Sequence, residues 1–235
     1  MSLIVAIQVS TNDVVIAADR RGTYGNPKKL CSVDDNNTKL FVYGNAAIGI
    51  VDSVSHVLMP IKDILTTVQH CKEAADDVSL SDALRSHYDN SYGVWPIVGN
   101  QHQVLDRRPT ATVLYADRRP DQRGILFLLS KENFVPAPIP KPYEALGASD
   151  YARFLLQRLW KPTITLDAAT CLAVLAITET GKTDPKVGTM ADVIVLEESG
   201  ARKLSDDEVS AIADSNAQRL AKFAESFEVK DGGIS

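Results

Sequence analysis

Two short apolar runs open the chain, residues 3–9 and 13–18, and neither alternates apolar with polar positions as a half-exposed strand does. Strands that are apolar at nearly every position have both faces covered. The turn formers Ser10-Thr11-Asn12 separate them, so the two runs read as a hairpin buried on both sides. A fold that begins this way needs material on each face of its first sheet. The antiparallel return of the hairpin also brings Asp19, at the far end of the second strand, toward Ser2.

The rest of the chain supplies that material in blocks. A polar loop is expected from Gly22 to Asn37, then a second hairpin of 38–43 and 45–50 turning at Gly44-Asn45. Helical periodicity follows from about Ser53, with Val54, Val57, Leu58, Ile61, Ile64, Leu65 and Val68 on one stripe and a kink expected at Pro60. Another helix is expected to start at Ser79-Leu80-Ser81-Asp82 and to end before a turn at Gly93 to Pro96. Strands are expected at 111–116, 125–130 and 133–137, with Pro136 to Pro142 as an extended connection. Two helices come next, 150–160 and 165–180, the second closed by Gly181 as a C-cap. A final strand, 192–196, leads to an amphipathic helix over 205–227. Its start carries a capping box, Ser205 with Glu208, and its stripe is Val209, Ile212, Leu220, Phe223 and Phe227. That helix has either this chain or a neighbouring subunit to dock on.

This order lacks the strict strand–helix alternation of a parallel doubly wound sheet. It predicts an α+β fold, a four-layer α-β-β-α sandwich with two antiparallel sheets, formed by residues 1–235 as one domain. At 45% hydrophobic residues the chain is able to bury a large core. A formal net charge of −5 argues against a general affinity for nucleic acid or an anionic membrane surface. The arginines at 107, 108, 118, 119 and 123 are diluted by Asp106, Asp117 and Asp121, and read as a solvated loop. Cys31, Cys71 and Cys171 are odd in number and far apart, as expected in a reducing compartment. No apolar stretch is long enough to span a bilayer and no secretory signal opens the chain, so a cytoplasmic protein is expected. His56, His70, His87 and His102 have no metal-ligand spacing, and no glycine-rich phosphate loop is present, so no metal or cofactor is expected.

Ser2 is where chemistry is expected. Removal of Met1 would leave a hydroxyl and a free α-amino group on one residue, a nucleophile with its own base. The reference pKa of such an amine, ~7.7–8.0, leaves part of it neutral near pH 7. The plainer alternative is an ordinary Met-Ser start.

The residues around Asp19 carry a resemblance. Val14 to Thr23 resembles the second strand and following turn of the proteasome β-type subunits among the N-terminal nucleophile hydrolases, especially their bacterial proteasome-like relatives. Thr38-Lys39-Leu40-Phe41 is similar to that family's active-site lysine segment, and Ile48-Gly49-Ile50 to the strand whose glycine supplies an oxyanion-hole amide. The resemblance implies Ser2 as nucleophile in place of threonine, Lys39 beside the terminus, and Asp19 holding Lys39. It implies Gly49 as an oxyanion donor, and Arg21 as a structural residue. Held there, Lys39 would depress the pKa of the amine by like charge and favour a developing alkoxide. A buried structural ion pair is the alternative for Asp19 and Lys39.

The second half departs from the family pattern. Ala145 to Ser149 is similar to the segment that carries a supporting serine, but Ala148 takes its position and Ser149 follows. Asp184 is similar to the supporting aspartate, yet Val187 stands where a serine is expected. The resemblance further implies a peptide or protein substrate, self-assembly into a ring or other symmetric oligomer, and an unfoldase partner. The expected activity is amide hydrolysis through an acyl-ester on Ser2. The rivals are a catalytically inactive subunit with an assembly or binding role and a hydrolase of a small amide.

Overall fold

A computed structural model of the chain describes residues 2–9, 12–26, 29–35, 37–52, 61–63, 76–93, 108–118 and 124–227. The opening hairpin is β1 (Leu3–Gln8) paired antiparallel with β2 (Val14–Asp19), Ile4 opposite Ala18. Asn12 turns the chain with φ +66°, a conformation asparagine tolerates. The stretch expected as a polar loop is instead a two-stranded ribbon, β3 (Gly22–Asn26) with β4 (Lys29–Asp34). Its polar residues concealed the strands, because a two-stranded ribbon outside the main sheets needs no apolar alternation. The second hairpin follows as β5 (Leu40–Tyr43) and β6 (Ala46–Asp52), with Gly44 at φ +59°.

Residues 61–63 are helical; the remainder of the expected 53–68 stripe and Pro60 lie outside the described residues. Helix α1 (Asp77–Tyr92) begins two residues before the expected Ser79, because Asp76 is the residue that caps it, accepting from Ser79 N at 2.7 Å. Strands β7 (Ala111–Ala116) and β8 (Ile125–Leu129) follow. The strand expected over 133–137 is shorter and starts later: a 3₁₀ turn over Ser130–Glu132 runs into Asn133 and Phe134, both at positive φ, and pairing resumes in β9 (Pro136–Pro138). Phe134 is drawn from the ladder into the core, where it is fully buried and edge-on to Tyr88. Strand β10 (Tyr143–Gly147), not anticipated, leads into α2 (Asp150–Leu159) and α3 (Leu166–Thr183). The last elements are β11 (Ala191–Glu197), β12 (Gly200–Lys203), and α4 (Asp206–Glu225), whose Ser205–Glu208 capping box forms.

The architecture is α+β with two five-stranded antiparallel sheets, ordered β10-β1-β2-β11-β12 and β5-β6-β7-β8-β9. Alternation along β1 and β2 explains their unbroken apolar sequence. Leu3, Val5, Ile7, Val15 and Ala17 pack on one side against Ala152, Leu156, Ala173 and Ile177 of α2 and α3. Ile4, Ala6, Val14, Ile16 and Ala18 pack on the other against Leu40, Ala47, Val51 and Leu114 of the second sheet. The outer face of that second sheet, with Ile48, Ile50, Val113 and Tyr115, takes Leu80, Leu84 and Tyr88 of α1. Each fully buried Val, Leu or Ile among these contributes about 1.5–3 kcal/mol relative to exposure.

Gly181 lies inside α3 and is not its C-cap; Asp184 ends the helix with a backbone bond to Thr180 O. A Cβ at Gly181 would lie 2.6 Å from Gly188 O, so the glycine serves close backbone contact.

Candidate active site

Asp19 ends β2 between β1 and β11, with Ala191 as its partner in β11. Its carboxylate is 0% exposed, and burial of a charge in such a place requires donors. It has four. Oδ1 accepts Leu3 N at 2.7 Å and Lys39 Nζ at 2.7 Å, and Oδ2 accepts Arg21 N at 3.1 Å and Gly188 N at 3.0 Å. The ammonium of Lys39, 1% exposed, also donates to Arg21 O at 2.6 Å. Burial pushes its pKa below the ordinary lysine value, against the attraction of Asp19. Lys39 and the Leu3 amide share one oxygen, which places the lysine within two hydrogen-bond lengths of the peptide that joins Ser2 to Leu3.

That peptide is held at both ends. Ser2 O accepts Ala148 N at 3.0 Å while Leu3 N is on Asp19, so the plane following Ser2 is fixed and Ser2 itself is 5% exposed. Gly147 makes the contact possible: it has φ +88°, and a Cβ there would stand 1.7 Å from Ser2 O and 3.2 Å from Val51 Cγ1. The Ala145 to Ser149 segment therefore does lie against Ser2, through Gly147 and Ala148. Ser149 is buried, 5% exposed, ahead of α2; its carbonyl accepts Arg153 N and its side chain does not cap the helix.

Asp184 and Gly49 lie differently from expectation. Asp184 is half-buried and caps its own turn, Oδ1 accepting Lys186 N at 2.9 Å and its carbonyl accepting Val187 N. Val187 is fully buried in the core beneath α3. The residue of this turn that reaches the site is Gly188, through its amide on Asp19. Gly49 faces the core between the sheets, where a Cβ would lie 2.8 Å from Ile4 Cδ1 and 3.1 Å from Leu40 Cδ2. Ile50 N donates to Lys39 O across the β5–β6 pair. Strand alternation then turns the Gly49 amide the other way, to β7 opposite Leu114. The ladder, not an oxyanion, is the partner this geometry offers it.

Arg21 ties the end of β2 to the turn before β11. Its guanidinium is bidentate to Asp35 at 2.6 and 3.1 Å and donates to Pro185 O and Val187 O. Arg20, one residue on from Asp19, pairs with Asp192 and with Asp206 at the start of α4. Neither Gly188 nor Asp35 was anticipated. For Asp35 the only signal was its place in a polar stretch; for Gly188, a glycine near Asp184. Among the described residues, no three His, Cys, Asp or Glu side chains gather as metal ligands, and no helix is long and apolar enough to cross a membrane. His56, His70, His102, Cys71 and Trp95 lie outside the described residues.

Asp19 at the end of β2 and Lys39 just before β5 thus form a buried pair beside the first residues of β1. The α+β architecture around that pair is shared by solved structures. The chain is similar to Anbu (ancestral beta-subunit) from Yersinia bercovieri, with TM-score 0.65 and 14% identity over 98% of this chain and 100% of the other. It is similar to the Gly-1 mutant of Anbu from Hyphomicrobium sp. strain MC1, with TM-score 0.67 and 14% identity over the same shares. No family model and no curated sequence matches the chain. The expected placement among the proteasome β-type subunits of the N-terminal nucleophile hydrolases is therefore corrected. The likeness is to Anbu structures, and at 14% identity it is one of fold alone.

Proposed function

We propose that the chain is an N-terminal serine hydrolase of peptide or protein amide bonds, active once Met1 is removed. The observation that carries this reading is the anchoring of the Ser2–Leu3 peptide between Ala148 and Asp19, with the Lys39 ammonium on the same carboxylate oxygen. In the proposed reaction the α-amino group of Ser2 takes the hydroxyl proton as Oγ bonds to the substrate carbonyl carbon. The carbon–nitrogen bond then breaks and the leaving amine departs with that proton. Water, deprotonated by the Ser2 α-amino group, attacks the ester carbonyl; the carbon–Oγ bond breaks, the acid leaves, and the proton passes from the α-amino group to Oγ. Lys39, two of whose donors are taken by Asp19 and Arg21, has one left to favour the alkoxide. Asp184 and Ser149 enter as supports of the turn and segment that flank the site. Gly49 enters as the small residue that lets the sheets approach, and the oxyanion donor is another amide.

The reading includes a single domain in a four-layer α-β-β-α arrangement, assembly into a symmetric homo-oligomer, and a cytoplasmic location with an unfoldase delivering protein substrates. A second reading, an inactive subunit with an assembly role, is favoured by one observation: Ala148 and the buried Val187 offer no hydroxyl to the terminus.

Intact-mass measurement of the native protein, with and without a peptide β-lactone, separates them. The hydrolase reading expects loss of Met1 and one adduct, abolished in Ser2→Ala with assembly intact. Retained Met1 and no adduct would overturn it.

A further inference from the structure

We infer that Gly181, in α3, is a positioning residue for the Ser2 site, acting through the Gly188 amide on Asp19; this rests on the hydrolase reading above. Helix α3, the turn at Gly188 and the chain at Arg21 stack closely here, with no side chain on either glycine between them. A Cβ on Gly181 would lie 2.6 Å from Gly188 O, 2.8 Å from Gly188 C and 3.0 Å from Thr189 N, all main-chain atoms that cannot rotate aside. A Cβ on Gly188 would lie 3.0 Å from Arg21 Cβ and 3.2 Å from Arg21 N. Gly188 N and Arg21 N both donate to Asp19 Oδ2, and Arg21 O accepts Lys39. The distance from helix to carboxylate is thus set by two absent side chains.

Neither side of the stack gives way easily. Helix α3 is seated by Ala173, Ala176 and Ile177, all fully buried, so it cannot withdraw from a new methyl group at 181. Arg21 is held by Asp35 and by the carbonyls of Pro185 and Val187. A side chain at 181 is therefore expressed as a shift of Gly188, and with it of the amide that fixes Asp19 and, through Asp19, Lys39 and Leu3. Glycine within a helix is otherwise unfavourable compared with alanine, so packing at this contact is what holds it there.

Gly181→Ala tests this with two readouts on the full chain. Hydrogen exchange of the Gly188 amide, followed by NMR, reports its bond to Asp19 without reference to catalysis. The second-order rate of β-lactone labelling reports the site. The expected result is a Gly188 amide that exchanges faster and a labelling rate lower by ~10²-fold, the effect of about a 1 Å misplacement. Leu172→Ala, a cavity in the same core away from the turn, should lower the melting temperature and leave both readouts near wild type. A folded Gly181→Ala protein with unchanged exchange at Gly188 overturns the inference. Should Gly181→Ala not fold, Arg21→Met frees the turn from its other side and must give the same two losses, and unchanged exchange there overturns the inference equally. If wild type keeps Met1 and takes no label, the hydrolase reading fails while the exchange measurement still judges the positioning of Gly188.

Discussion

Asp19 and Lys39 form a pair that neither residue could sustain alone in the core. Replacing Lys39 by methionine keeps length and apolar packing but leaves a buried carboxylate without its counter-charge. Such a loss costs about 3–5 kcal/mol, with three remaining N–H donors on Asp19 placing it at the lower end. Denaturant unfolding should show it, and adding Asp19→Asn to Lys39→Met should restore part of it, since Asp19→Asn removes the stranded charge. The pair also sets a pH dependence. Because burial holds the folded-state pKa of Lys39 below 10.5, the unfolded chain binds more proton between the lowered value and 10.5, and stability rises with pH across that window. Lys39→Met should flatten that rise. Both residues were legible, Asp19 as the end of a hairpin strand and Lys39 as the start of the next. Gly188 was not, because it meets Asp19 across 169 positions of sequence and contributes only a backbone amide.

Among the elements, α4 has the clearest local code. The Ser205 backbone N–H, then Arg202 and the Ser205 hydroxyl, hold the Glu208 carboxyl down at about 2. A carboxylate lowered in the folded state stabilises above its unfolded value, 4.5, and that contribution disappears as pH falls toward 2. The start of α4 should therefore fray in acid across this window, seen as faster amide exchange over its first turn. Glu208→Gln should fray it at neutral pH and remove the dependence. The capping box was readable because its partners are three residues apart. The β3–β4 ribbon was not, since its sequence, interrupted by Gly22 and Gly25, shows no regular apolar–polar alternation, and the end of α3 differs from expectation because a glycine serving tertiary contact has the same letter as one serving a cap.

At the scale of the molecule, the distribution of apolar surface points beyond one chain. Phe223 and Phe227 lie at the end of α4, 63% and 69% exposed, their rings edge-on with centroids 4.9 Å apart. Exposed paired aromatics of this kind suit an interface core. With both changed to aspartate, the protein should run at a lower mass in analytical ultracentrifugation and keep its β-lactone labelling, and an unchanged mass would remove these rings from assembly. The layered α+β plan was already set in the linear order of residues, because strands apolar on both faces require cover on both sides, and so were the local signals: hairpin, cap and the polar residues that end strands. What surrounds Ser2 emerged only from packing. Ala148 N holds the Ser2 carbonyl, and the amides of Arg21 and Gly188 hold the Asp19 carboxylate that anchors Leu3 N; main-chain donors have no residue type by which a sequence can announce them. It was likewise the packing of one sheet on the other that set Gly49 in the core, and the pairing of β6 between β5 and β7 that turned its amide toward β7.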